Sequence, residues 1–217
     1  ILNASDVQDW DGFGWSVALD VDYAIVGAYK EDGGTGDPHL TCGAAYIFER
    51  NGSDVWEEKA ILHASDISAD AYFGQSVDIH GSYAIVGAYY TTYDDMTRAG
   101  SAYIYERDLS GNWTTEIILK ASDALTSDQF GCAVSICGNY AAVGANFEDG
   151  GEGDPQDATG AVYIFERDID GSWIETQIIH ATEMSTTRQF GYSVALSGDN
   201  LVIGEKIKKV FCYRRDP

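Results

Sequence analysis

Apolar residues fall along this chain in short clusters separated by turn-forming residues, and nowhere do they recur at the spacing of an amphipathic helix. Residues 73–119 hold four such clusters, Phe73–Ile79, Tyr83–Tyr89, Gly100–Glu106 and Trp113–Leu119. His80-Gly81-Ser82 joins the first two, and Cys137-Gly138-Asn139 and Ser197-Gly198-Asp199 match it further on; glycine at such a joint predicts a tight hairpin. Asn51-Gly52-Ser53, Ser110-Gly111-Asn112 and Asp170-Gly171-Ser172 predict a second hairpin between the third and fourth clusters. The pattern is that of a four-stranded antiparallel meander.

The second cluster decides how meanders pack. Tyr83-Ala84-Ile85-Val86-Gly87-Ala88 is apolar throughout rather than alternating, so both faces of that strand are buried. A two-sheet sandwich leaves one face of each sheet wet, whereas four-stranded sheets stacked face to face around an axis bury both. The fourth cluster carries Glu57, Glu58 and Lys59 in one copy and Thr114, Thr115 and Glu116 in the next, as an outer rim requires. The glycine of Val-Gly-Ala suits a close approach of neighbouring sheets. The expected fold is therefore all-β, a β-propeller built of four-stranded antiparallel blades.

The meander repeats. Phe-Gly occurs at Phe13, Phe73, Phe130 and Phe190, at spacings of 60, 57 and 60 residues, each copy preceded by an acidic stretch and followed by a Val-Gly-Ala-like strand. This divides the chain into one repeat domain with blades at about 4–62, 64–119, 121–179 and 181–217, a set that also fits part of a larger ring. Length varies in one place, the connection between second and third strands. The fourth copy stops after its third strand, and it alone is basic, with Lys206, Lys208, Lys209, Arg214 and Arg215. Its unpaired edge predicts self-association through the incomplete blade.

Phe-Gly-x-Ser-Val-Ala followed by Val-Gly-Ala resembles the FG-GAP repeats of the integrin α-subunit propeller, over the whole chain. The resemblance implies an extracellular, non-enzymatic adhesion or recognition module, with calcium in some blades. The family's calcium loop is a long Asp-rich hairpin before Val-Gly-Ala. Here that hairpin is only Leu19-Asp20-Val21-Asp22 or its three short counterparts, too short to wrap an ion that takes six to eight oxygens, so that site does not carry over.

Candidate chemistry lies instead in the variable loop. Copies one and three read Glu31-Asp32-Gly33-Gly34-Thr35-Gly36-Asp37-Pro38 and Glu148-Asp149-Gly150-Gly151-Glu152-Gly153-Asp154-Pro155. Glu31, Asp32, Asp37, Glu148, Asp149 and Asp154 are candidate Ca²⁺ ligands on glycines that let carbonyls converge, or else belong to plain acidic loops. Copy two places Tyr89, Tyr90 and Tyr93 there, a cluster able to stack on a sugar or a partner surface, or to pack over the next blade. The aspartates before the first three Phe-Gly copies, among them Asp6, Asp11, Asp66, Asp123 and Asp128, read as Asx-turn residues, and the fourth copy has Glu183 and Arg188 instead.

A net charge of −22 disfavours nucleic acid and anionic membranes, and it favours divalent cations, basic proteins or simple solubility. No apolar run is long enough to span a bilayer. The chain opens on Ile1 with no signal-peptide pattern, which reads as a processed product or part of something longer. Asn3, Asn51 and Asn112 head Asn-x-Ser/Thr triplets and are glycosylation candidates in a secretory context. Cys42, Cys132, Cys137 and Cys212 lack zinc spacing. His63 and His180 occupy one repeat position, which repeat context explains, and no catalytic constellation appears. The expected function is a binding or adhesion module for a protein or glycan partner; the alternative is a structural subunit of an extracellular assembly.

Overall fold

A computed structural model of the chain describes residues 1–6, 8–32, 41–66, 69–149, 159–181, 188–207 and 209–214. Blade 1 consists of β1 (Phe13–Asp20), β2 (Tyr23–Ala28), β3 (Ala44–Arg50) and β4 (Trp56–Leu62). Blade 2 holds β5 (Ser76–His80), β6 (Tyr83–Ala88), β7 (Ser101–Arg107) and β8 (Trp113–Leu119). Blade 3 holds β9 (Phe130–Cys137), β10 (Tyr140–Ala145), β11 (Ala161–Arg167) and β12 (Trp173–His180), and blade 4 holds β13 (Phe190–Ser197), β14 (Asn200–Glu205) and β15 (Val210–Arg214). Each blade is an antiparallel meander in sequence order. The expected β-propeller is the observed fold, with three four-stranded blades and a fourth of three strands among the described residues.

The Phe-Gly dipeptide is where the inner strand breaks register. Pairing shifts between Phe13 and Ser16, and again between Phe190 and Ser193. Gly14, Gly74, Gly131 and Gly191 hold φ of 89°, 87°, 90° and 82°, a left-handed backbone that a side chain strains. The bulge pushes the glycine carbonyl out of its own sheet and onto the preceding blade.

There it meets the other half of the repeat. A Cβ added to Gly27 would stand 2.0 Å from the Gly74 oxygen; at Gly87 it would stand 2.0 Å from the Gly131 oxygen, and at Gly144 2.1 Å from that of Gly191. Ser16 and Ser76 hydroxyls donate to the Gly74 and Gly131 carbonyls at 2.7 and 2.9 Å. Each phenylalanine N–H also donates across the junction, Phe73 to the Cys42 carbonyl, Phe130 to Ala99 and Phe190 to Thr159. The glycine of Val-Gly-Ala is thus a seat for the next blade's backbone, as its sequence position suggests.

Apolar side chains fill the rest of each junction. Ile25, Ala45 and Ile47 of blade 1 pack on Val77 and Ile79 of blade 2. Ile85 and Ile104 pack on Val134 and Ile136, and Val162 of blade 3 packs on Val194 and Leu196. Toward the rim, Trp113 meets Tyr23 of blade 1 and Trp173 meets Tyr83 of blade 2, at ring separations of 6.2 and 5.8 Å. Arg107 and Arg167 lie over those two tyrosines. All four cysteines are free thiols. Among the described residues no helix is long and apolar enough to cross a membrane.

Between third and fourth strands the turn starts earlier than the glycines suggest. Asp108 Oδ1 accepts the N–H groups of Ser110 and Asn112, and Asn51 Oδ1 likewise accepts those of Ser53 and Val55. Asn51 therefore matches Asp108, and Asp54, with φ of 59°, takes the place of Gly111 at 89°.

Candidate functional site at the axial face

The bulges and the ends of the second strands lie at one end of the blades, and the side chains between them line a cleft of about 490 Å³ shared by all four. The residue after each Phe-Gly contributes in turn: Trp15, Gln75, Cys132 and Tyr192. The residue after each second strand adds Tyr89, Asn146 and Lys206. Gln129, Phe147 and Gln189 complete the wall. The scaffold positions repeat while the side chains they project differ.

One side of this mouth is a chain of aromatic rings. Trp15 and Tyr29 have centroids 4.7 Å apart, Tyr29 and Tyr72 5.6 Å, Tyr72 and Tyr90 4.9 Å, and Tyr89 and Tyr90 4.5 Å. Cationic heads cap it, Lys30 over Tyr29 at 5.2 Å and Arg98 over Tyr90 at 4.6 Å, while Lys206 stands over Tyr192 at 5.7 Å. Burial pushes the Tyr89 hydroxyl up to about 12. Burial also pushes the Cys132 thiol up to about 12, which leaves it protonated and a poor nucleophile at neutral pH.

Polar side chains line the same cleft. The side-chain amide oxygens of Gln75, Asn146 and Gln189 are buried and have no hydrogen-bond partner among the described residues. Asn146 is 4% exposed and Gln189 7%. A buried amide left unpaired costs roughly 1–3 kcal/mol, and three such amides line this one cleft.

The structure sorts the sequence candidates. Tyr89 and Tyr90 belong to the aromatic arc; Tyr93 lies apart, half-buried under Lys120, whose ammonium is 3.9 Å from its ring centroid. Glu31 and Glu148 are buried, with 0% and 2% exposure. Their carbonyls close the variable loops by accepting from Gly43 and Gly160 at 2.8 Å. Asp37 and Asp154 lie outside the described residues. Among the described residues no three His, Cys, Asp or Glu side chains converge as a metal site. Asn3 and Asn112 are exposed, while the Asn51 amide donates to Glu57 at 2.6 Å.

The acidic stretch before Phe-Gly joins the variable loop, a link the linear sequence conceals. Lys30 N–H donates to the Asp11 carbonyl, Tyr90 to Ala71 and Phe147 to Asp128. Asp11 therefore stands beside the Glu31 loop and Asp128 beside the Glu148 loop, and both carboxyls are buried. Blade 2 has Ala71 and Thr91 at the same two places. Burial first, then the charges of Glu148, Asp149 and Asp123, raise the Asp128 carboxyl to about 7. Burial, with the Asp32, Asp6 and Asp9 charges, raises Asp11. These aspartates are not Asx-turn residues in the expected sense. Asp11 and Asp128 accept the N–H of the residue three before, Gln8 and Leu125. Asp6, Asp66 and Asp123 instead take the hydroxyls of Tyr46, Tyr103 and Tyr163 at 2.9, 2.8 and 2.7 Å.

Sequence reasoning missed the axial amides because they fall at three different places in the repeat. The signal was there in the residue after Phe-Gly, which reads Trp, Gln, Cys and Tyr while its neighbours scarcely change.

A bulged Phe-Gly seated on the glycine of the preceding blade's Val-Gly-Ala strand, three times over, defines a propeller of the FG-GAP class. The FG-GAP repeat family matches residues 1–48, 56–105, 113–165 and 173–209, and the chain belongs to that family. The last three of these stretches each open on an outer strand and run into the next blade, so the family's unit spans a junction. The crystal structure of the computationally designed Ika4 protein is similar at a TM-score of 0.49 and 11% identity, over 93% of this chain and 90% of that one. No curated protein matches the chain.

Proposed function

We propose that this propeller is a non-enzymatic, extracellular recognition module whose axial cleft binds a hydroxyl-rich ligand, a glycan. The observation that carries the reading is the pairing of unsatisfied buried amides at Gln75, Asn146 and Gln189 with exposed aromatic faces at Trp15 and Tyr192 around one cleft. Sugars present both features in reverse: C–H faces that stack on rings, and hydroxyls that donate to amides. A glycan array followed by calorimetry tests it. Neutral oligosaccharides are expected to bind, and Asn146→Ala or Tyr192→Ala to weaken them about tenfold or more, the loss of one buried hydrogen bond or stacking face. Absence of binding across the array, or binding unchanged by both substitutions, rejects the reading.

A protein partner on the acidic rim is the second form of the same proposal, favoured by the net charge of −22. Extracellular placement predicts glycosylation at the exposed Asn3 and Asn112, and at Asn51. A mass unaffected by N-glycosidase after secretion from eukaryotic cells would count against it.

A further inference from the structure

Each internal junction of this propeller is made the same way, and the chain carries an unused half of that junction at each end of its stack. In blade 4, the three atoms nearest a Cβ on Gly204 all belong to Ser193 of the same blade, whereas the seats at Gly27, Gly87 and Gly144 hold the next blade's carbonyl. In blade 1, Gly14 keeps the left-handed φ of 89° of the seated glycines, yet nothing lies within 4 Å of its Cβ position. One end has the seat without the carbonyl, and the other has the carbonyl without the seat.

The apolar surfaces are divided in the same way. Val17 and Leu19 occupy the places of Val77 and Ile79, but they are 68% and 65% exposed where Val77 and Ile79 are 9% and 3%. Val202 and Val210 occupy the places of Ile25 and Ala45, which are fully buried, and are 38% and 66% exposed. Cys212, at the place of Ile47, is exposed as well. The hairpins repeat the pattern: Gly81 N–H donates to Asp20, Gly138 to His80 and Gly198 to Cys137. By the same register Val21 N–H of blade 1 is the donor left for Ser197 of blade 4. Charge agrees in sign, with Lys206, Lys209 and Arg214 on blade 4 and Asp9, Asp20 and Asp22 on blade 1.

We propose that blade 4 of one copy docks on blade 1 of a second copy, head to tail, and rebuilds the junction already made three times within the chain. The Gly14 carbonyl then sits on Gly204 and accepts the Ser193 hydroxyl, while Val202 and Val210 cover Val17 and Leu19. The two surfaces complement each other and not themselves, so the contact is heterologous. A second copy is the fitting occupant because one chain supplies both halves.

Sedimentation velocity of the 217-residue chain, from about 1 to about 200 μM by mass action, tests this in salt high enough to screen the like charges of the copies. The wild type is expected to assemble as concentration rises. Val17→Lys and Val202→Lys alter exposed side chains, so the melting temperature holds, while each alone loses assembly by about tenfold or more in affinity. An equimolar mixture of the two restores a dimer, because the first keeps blade 4 intact and the second keeps blade 1. Leu19→Lys in place of Val17→Lys repeats the test should that variant fold poorly. A wild type that stays monomeric throughout overturns the proposal. Self-assembly of Val202→Lys alone, or a mixture that behaves as the sum of its parts, overturns it in favour of like-with-like contact.

Discussion

Two glycines of the same motif place differ in what surrounds them, and that difference sets what a methyl group would cost. At Gly87 a Cβ would lie 2.0 Å from the Gly131 oxygen, a backbone atom held by its own sheet. Gly87→Ala must therefore pry blades 2 and 3 apart, and a loss of about 3 kcal/mol or more is expected. At Gly204 the nearest obstacle is the Ser193 hydroxyl at 2.4 Å, which can rotate away; Gly204→Ala should cost the isolated chain less than about 1 kcal/mol. Chemical denaturation of both variants checks the contrast, and equal losses would contradict it. Asp128 gives a pH-dependent expectation. Its folded carboxyl is raised to about 7 from an ordinary value of 3.8, so the folded state holds the proton more tightly than the unfolded state. Stability then falls as pH rises from about 4 to about 7 and stays low above that. Asp128→Asn keeps the bond from Leu125 and removes the buried charge, so it should raise the melting temperature at pH 8 by several degrees and leave pH 4 nearly unchanged.

At the scale of elements, the connection between second and third strands is where the blades diverge. Blades 1 and 3 combine a long acidic loop with a buried aspartate from the preceding turn, Asp11 and Asp128, while blade 2 combines a shorter loop with Ala71. Loop length and buried charge change together. We propose that Ca²⁺ binds at the Glu31–Asp32 and Glu148–Asp149 loops and offsets the repulsion among those carboxylates. Calcium should then raise the melting temperature at millimolar concentration, through preferential binding to the folded state. Asp32→Ala and Asp149→Ala together should remove that increase, and a wild type indifferent to calcium would end the idea.

Across the whole molecule, cohesion comes from junctions between blades rather than from any single blade. The clusters around Ile25 and Val77, and around Ile85 and Val134, draw their members from two neighbouring sheets. A sheet with both faces apolar has no stable state alone, so blades 2 and 3 depend on neighbours on both sides. The terminal blades have one neighbour each, and they carry the exposed Val17, Leu19 and Val210.

The sequence by itself determined the blade. Short apolar clusters, hairpin glycines and a second strand apolar on both faces specify a four-stranded meander and its stacking, because those properties are local or act between adjacent repeats. The packing of Tyr89 against Tyr90 was legible because the two are adjacent in sequence. Only the tertiary structure decided which residues share a site. Gln75, Asn146 and Gln189 come from three blades and from different places in the repeat, and they meet only because the blades turn about one axis. Asp11 and Asp128 gain carboxylate neighbours from the following loop, Asp32 and Glu148, because a backbone bond fastens the turn before Phe-Gly to it. Burial, and the pKa shifts it causes, is a property of that packing and has no counterpart in the linear order of residues.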